Sequence, residues 1–128
     1  FILETGLIPG LDHIVSAKVI NAANDRQSKI ISYENWSGAL PAPENTDDHF
    51  PFKIIDSHQE SLKEVLNNCI QLIDKKVVKI NNFNILDNIG IQNNFNKAFN
   101  FEAYFSKDYL KYRNYYNLKD AETIMIGS

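Results

Sequence analysis

Hydrophobic and polar positions along the chain follow two different periods, and the changes of period mark out the elements. Over residues 9–26, Leu11, Ile14, Val15, Val19, Ala22 and Ala23 recur at helical spacing and draw one apolar stripe. The pattern predicts a helix with Pro9 near its start, where a missing N–H costs nothing, and Asp12 near the positive end of the dipole. Residues 29–38 change to period two, with Ile31, Tyr33 and Asn35 on one face and Ile30, Ser32, Glu34 and Trp36 on the other, as in a strand. A second extended piece is expected at 50–55. A short helix is expected at 57–68, where Ser57 and Glu60 form a capping box.

Residues 69–80 predict a hairpin of two apolar strands that turns at Asp74, Lys75 and Lys76. The asparagine-rich segment 81–98 predicts an irregular excursion. Phe99, Phe101 and Phe105 then alternate with polar partners in another strand, followed by a short helix that carries Tyr109, Tyr112 and Tyr116. Residues 121–127 close as a strand. This order implies an α+β fold, a mixed or antiparallel sheet with helices packed on one face.

Composition narrows the function. The 128 residues suit one domain, 1–128, and 44% hydrophobic with 23% charged residues is ordinary for a soluble protein. A net charge of -3 leaves no basic stripe to neutralise phosphates, which argues against nucleic acid. Cys69 is the single cysteine, so neither an internal disulfide nor a cysteine-based metal cluster can form. No apolar run approaches the roughly 20 residues that cross a bilayer, and no signal-peptide pattern opens the chain, so a cytoplasmic setting is expected. The chain opens on Phe1 and both ends are apolar runs already under way, so it is expected to be a fragment of a larger protein.

Few motifs carry chemistry by themselves. No G-x-G-x-x-G, P-loop, H-E-x-x-H or G-x-S-x-G occurs. His13, His49 and His58 stand in separate segments without metal-ligand spacing, and no histidine near Ser37 in sequence would activate it as a nucleophile. Pro41 and Pro43 stiffen the loop after the 29–38 strand; Glu44 and Lys53 bracket that region and, as a solvated pair, would contribute about 0–1 kcal/mol.

One constellation is more specific. "GLIPGLDH" at 6–13, then a helix, then a strand ending in "SGALPAPE" at 37–44, resembles the glutamate-forming saccharopine dehydrogenase family. The resemblance continues through Lys53 and Ser57 and returns in 101–128, where Tyr104, Asp108, Tyr112, Tyr116, Thr123 and Gly127 fall at the family's spacing. It implies a two-domain enzyme: a Rossmann domain that binds NAD or NADP, and a second domain with the substrate site and dimer contacts. This chain is then the second domain, with its N-terminal Rossmann domain absent and no cofactor bound by the chain alone.

The resemblance sets Gly6, Pro9 and Gly10 on the nicotinamide side. It sets Ser37, Gly38, Glu44, Lys53 and Lys107 in the substrate cleft, where the prolines stiffen the loop for hydride transfer at a C–N carbon. The substrate it implies is an amino-acid-type secondary amine or imine, handled by a homodimer. The homodimer is also expected because a single-layer sheet leaves a face to cover. The chain departs from the family at Ile8 (aspartate), Trp36 (tyrosine), Ser37 (cysteine), and Gln59 and Lys107 (arginines). Neither lysine nor glutamine reproduces an arginine's bidentate grip on a carboxylate, so these departures imply a change of substrate. They also suit the alternative, a non-catalytic dimerisation or ligand-binding module with a decayed site.

Overall fold

The computed structural model describes residue 6, residues 10–39, 42, 44, 63, 66–81, 87, 90–92 and 101–128. In chain order these form α1 (Leu11–Asp25), β1 (Ser32–Trp36), β2 (Cys69–Ile73), β3 (Lys76–Ile80), β4 (Gly90–Gln92), β5 (Phe101–Ala103), α2 (Tyr109–Tyr115) and β6 (Thr123–Gly127). The fold is α+β, as the periodicity implies. A four-stranded mixed sheet runs β1-β6-β2-β3, and a small second sheet pairs β4 with β5.

Local chemistry sets the boundaries. Both helices end in a Schellman motif, each with a residue other than glycine in the left-handed region: Gln27 at φ 55 after α1 and Asn117 at φ 52 after α2. The closing bonds are Ser28 N–H to the Ala23 carbonyl at 2.9 Å and Leu118 N–H to the Arg113 carbonyl at 3.0 Å. The β2–β3 hairpin turns on Asp74 and Lys75 alone, both at positive φ, the two-residue geometry that matches strand twist. Lys76, expected in the turn, is the first residue of β3. In the segment 81–98, expected to be irregular, β4 is a short strand because Gly90, Ile91 and Gln92 find partners in β5.

Of the helix expected at 57–68, Lys63 and Leu66 are described and helical. The capping box at its start and the extended piece at 50–55 lie outside the described residues.

Both helices pack on one face of the main sheet, around Ile20, Tyr33, Leu72, Tyr109, Tyr112, Leu118, Ile124 and Ile126. The orientation of α1 corrects the sequence expectation. Its aliphatic stripe faces away from the sheet: Leu11 is 51% exposed, Ile14 64%, Val15 52% and Val19 64%. The face against the sheet carries buried Asp12 and Ile20, with half-buried His13, Ser16 and Ala23. The reason lies in the strand below, where the Tyr33 hydroxyl and the Asn35 amide are buried and need polar partners. Ser16 supplies them, its Oγ 2.9 Å from Tyr33 Oη and 3.4 Å from Asn35 Nδ2.

Strand β6 is the spine. It runs parallel to β1 over its whole length and antiparallel to β2 at Ile124, then exchanges bonds with residues 104–106 further on. Gln71 sits in the fork where β2 leaves β6 and is 0% exposed. Its Oε1 accepts the Ile126 N–H at 2.8 Å, and its Nε2 donates to the carbonyls of Lys107 at 2.5 Å and Ile126 at 3.4 Å. The side chain thus takes the place of a strand neighbour at Ile126. On this side of the sheet Gly127 lies under Trp36 and the Tyr104 carbonyl, with no room for a Cβ.

Gln71→Leu keeps the volume and removes every one of these bonds, leaving buried backbone groups unpaired. A loss of about 2–4 kcal/mol in urea-denaturation stability is expected. A loss below about 0.5 kcal/mol, the size of a surface change, would contradict this role for Gln71.

Candidate functional site

The carboxyl ends of β1 and β6 lie side by side because the two strands are parallel and in register, Trp36 opposite Gly127. Ser37 continues the ladder, its N–H donating to the Gly127 carbonyl at 3.1 Å. Gly38 follows, exposed, with nothing within 4 Å of where a Cβ would stand. On the other side of β6, Ser106 Oγ lies 3.1 Å from Ser128 Oγ. Lys107 comes next, half-buried; Gln71 holds its carbonyl, and its ammonium makes no ion pair among the described residues. The Trp36 and Phe105 rings, 5.4 Å apart, bridge β1 and the 104–106 segment across β6.

The start of α1 reaches the same end. Ser16 bonds to Tyr33 and Asn35, and the helix runs opposite to the strand that follows it, so its first turn lies toward the carboxyl end of β1. There Gly6 and Gly10 form an isolated bridge, and Leu11 N–H donates to the Gly6 carbonyl at 3.0 Å. Gly10 has φ 150 and ψ -90, a conformation that only glycine adopts without strain.

Of the residues expected in the site, Ser37 and Gly38 therefore stand at the strand ends and Gly6 and Gly10 at the turn before α1, while Lys107 lies along the other edge of β6, two residues past the Phe105–Gly127 bridge and so set back from the strand end. Glu44 is exposed in a tight helical turn, with no ion pair among the described residues. Pro9 and Lys53 lie outside the described residues.

The sequence reading missed a polar network beneath α1. His13 Nδ1 lies 2.5 Å from Tyr116 Oη, and the His13 ring stacks on Tyr112 with centroids 5.4 Å apart. Ser16 joins Tyr33 and Asn35, and the Asn35 amide donates to Tyr33 Oη at 3.1 Å. A signal was present: Asp12 and Ser16 stand four apart along one edge of the apolar stripe, and Tyr33 and Asn35 alternate on one strand face. Burial pushes the Tyr116 phenol up to about 12, with Tyr33 and the Asp12 carboxylate adding to the rise. The Tyr33 phenol is also raised, chiefly by burial.

Among the described residues, Asp12 Oδ2 and Asp108 Oδ1 are buried without a hydrogen-bond partner. Burial, with a smaller push from Asp108, raises the Cys69 thiol and keeps it protonated, unlike an activated nucleophile. Among the described residues no group of His, Cys, Asp and Glu side chains is placed to hold a metal. No helix among them is long and apolar enough to cross a membrane.

Comparison with known proteins gives a consistent answer. The family described as saccharopine dehydrogenase C-terminal domain matches residues 6–128. Alpha-aminoadipic semialdehyde synthase, mitochondrial, from Rattus norvegicus is 32% identical over 126 residues, which is 98% of this chain and 14% of that protein. Saccharopine dehydrogenase [NADP(+), L-glutamate-forming] from Saccharomyces cerevisiae is 26% identical over 125 residues, covering 98% of this chain and 28% of that protein. The apo structure of the histidine-tagged yeast enzyme (L-Glu forming) superposes with a TM-score of 0.83 at 25% identity, over 95% of this chain and 27% of that one. The chain thus spans between about a seventh and about a quarter of the length of these relatives.

The raised phenols set an alkaline limit. Both favour the protonated form in the fold, so their contribution is complete below the unfolded value near 10. For Tyr116 it is lost as pH rises toward about 12. Urea-denaturation stability should begin to fall near pH 9, where the unfolded Cys69 thiol ionises, and fall further above 10, where the phenols add to the loss, that second fall being less steep in Tyr116→Phe. An equal fall in both proteins would contradict the assignment.

Proposed function

The chain belongs to the family of saccharopine dehydrogenase C-terminal domains, and from that premise we propose that it is the substrate-binding and dimerisation domain of an NAD(P)-dependent oxidoreductase. The bond worked on is a C–N bond of an amino-acid-type secondary amine or imine. The observation behind this reading is the position of Ser37 and Gly38 at the carboxyl ends of two parallel strands, with Lys107 on the segment that borders β6. In open sheets with parallel strands, ligands bind at that end.

The roles follow from the chemistry of each group. Lys107, with no acid partner among the described residues, takes a substrate carboxylate as a point charge, and Lys53 takes another. Glu44 holds the substrate's positive charge. The Ser37 hydroxyl bonds near the reacting carbon, and Gly38 lets the substrate approach the backbone. The Gly6–Gly10 turn faces the nicotinamide. It fits that ring's edge and nothing more of a dinucleotide, because Gly10 presents bare backbone and the sequence has no glycine-rich phosphate cradle. The nicotinamide supplies hydride exchange when bound. Its home is the N-terminal Rossmann domain of a longer polypeptide, so residues 1–128 alone turn nothing over.

The choice between NAD and NADP stays open in this proposal, although the yeast relative is named for NADP(+). The cytoplasmic setting is part of the proposal too, beside a rat relative named as mitochondrial. For the homodimer, the outward stripe of Leu11, Ile14, Val15 and Val19 is an available apolar surface.

The experiment is an absorbance assay at 340 nm on the full-length polypeptide, offering NAD and NADP with saccharopine and with carboxyalkyl amines. Turnover of one amine is expected. Cofactor binding with silence on every amine would favour a non-catalytic module instead. Lys107→Ala should raise KM by about 30-fold or more, the ~2 kcal/mol or greater cost of removing a cation from a carboxylate. Gly38→Val should abolish turnover while moving Tm by less than about 2 °C, because its Cβ meets open space. Sedimentation at high micromolar concentration should give a dimer mass; a monomer mass would remove dimerisation from the reading.

A further inference from the structure

Asp12 stands out once the site is laid out, because its carboxylate does two things that a first-turn aspartate on a surface does not. It is 8% exposed, and its Oδ1 reaches back two residues to accept the Gly10 N–H at 2.8 Å. Its other oxygen is buried without a partner. A carboxylate serving only the helix dipole would do so from the surface, without the cost of an unpaired buried oxygen.

What needs holding is Gly10. As the N-cap of α1 it has no side chain to cap the helix, and φ 150, ψ -90 is one choice among the many open to glycine. Among the described residues the bonds that select it are three: Leu11 N–H to the Gly6 carbonyl at 3.0 Å, Ile14 N–H to the Gly10 carbonyl at 3.1 Å, and the Asp12 bond. The last is the charge-assisted one and is shielded from water, which makes it the strongest of the three.

We propose that Asp12 is a positioning residue: it fixes the Gly6–Gly10 turn in the shape that meets the nicotinamide, an inference that rests on the reading of that turn given above. Asp12 itself touches neither cofactor nor substrate. It acts through the Gly10 backbone.

The test uses hydrogen exchange of the peptide covering residues 6–12 in the full-length polypeptide, with cofactor affinity read by NAD(P)H fluorescence. Asp12→Ala should speed exchange of the Gly10 amide about ten- to hundred-fold and weaken the cofactor Kd by about tenfold. Asp12→Asn keeps an acceptor at Oδ1 and should bring both within about threefold of the original. Ile20→Val loosens the packing of α1 without touching the turn and should change neither. Unchanged exchange in Asp12→Ala, or an equal change in Ile20→Val, would overturn the proposal. Faster exchange in Asp12→Ala, with no cofactor binding even by the unaltered protein, would support the positioning role and refute the functional reading on which it rests.

Discussion

The amide of Gln71 holds the sheet in the form the site requires. Strand β6 has to serve β1 on one side and two successive neighbours on the other, β2 at Ile124 and the 104–106 segment near its end. Where one neighbour gives way to the next, the Ile126 N–H would be left unpaired inside the protein, its carbonyl being met by the Ser106 N–H. Gln71 accepts that N–H and fastens the Lys107 carbonyl from the same side chain. Two buried groups left unpaired cost about 1–3 kcal/mol each, a large share of a small domain's stability. The same contact that closes the sheet therefore sets the backbone from which Lys107 projects.

A second constraint decides how α1 lies. Leaving four aliphatic side chains about half exposed forgoes roughly 1 kcal/mol for each. Turning them inward would take Ser16 from the Tyr33 hydroxyl and the Asn35 amide and leave those two buried groups only their bond to each other, at a cost of similar order. The comparable magnitudes explain why the helix can present a polar face to the sheet. The aliphatic stripe is left exposed.

Much of the architecture could be read from the sequence because it is written locally. The bounds of α1, the hairpin around Asp74 and the closing strand at 123–127 follow from periods and turn chemistry within a few residues. The orientation of α1 did not follow, since it depends on Tyr33 and Tyr116, residues far from the helix in sequence. Gln71 was invisible for the same reason: within "CIQLI" it reads as one polar residue on a strand, and its partner Ile126 is 55 positions away. Of the site, Ser37, Gly38 and Lys107 came from the family resemblance, not from any motif with its own chemistry. Asp12 was noticed only as a partner of the helix dipole, because a bond back to the Gly10 amide depends on a backbone conformation that no pattern announces.

The central claim is that the carboxyl ends of β1 and β6 form the substrate cleft of an amine-oxidising dehydrogenase. Amide chemical-shift mapping of the labelled full-length polypeptide, saturated with oxidised nicotinamide cofactor and titrated with saccharopine-like amines, tests it most directly. The account predicts saturable shifts at Ser37, Gly38, Lys107 and Ser128, with the residues of the β2–β3 hairpin turn unmoved. Saturable shifts confined to another surface, or none with any amine while the cofactor is bound, would contradict it.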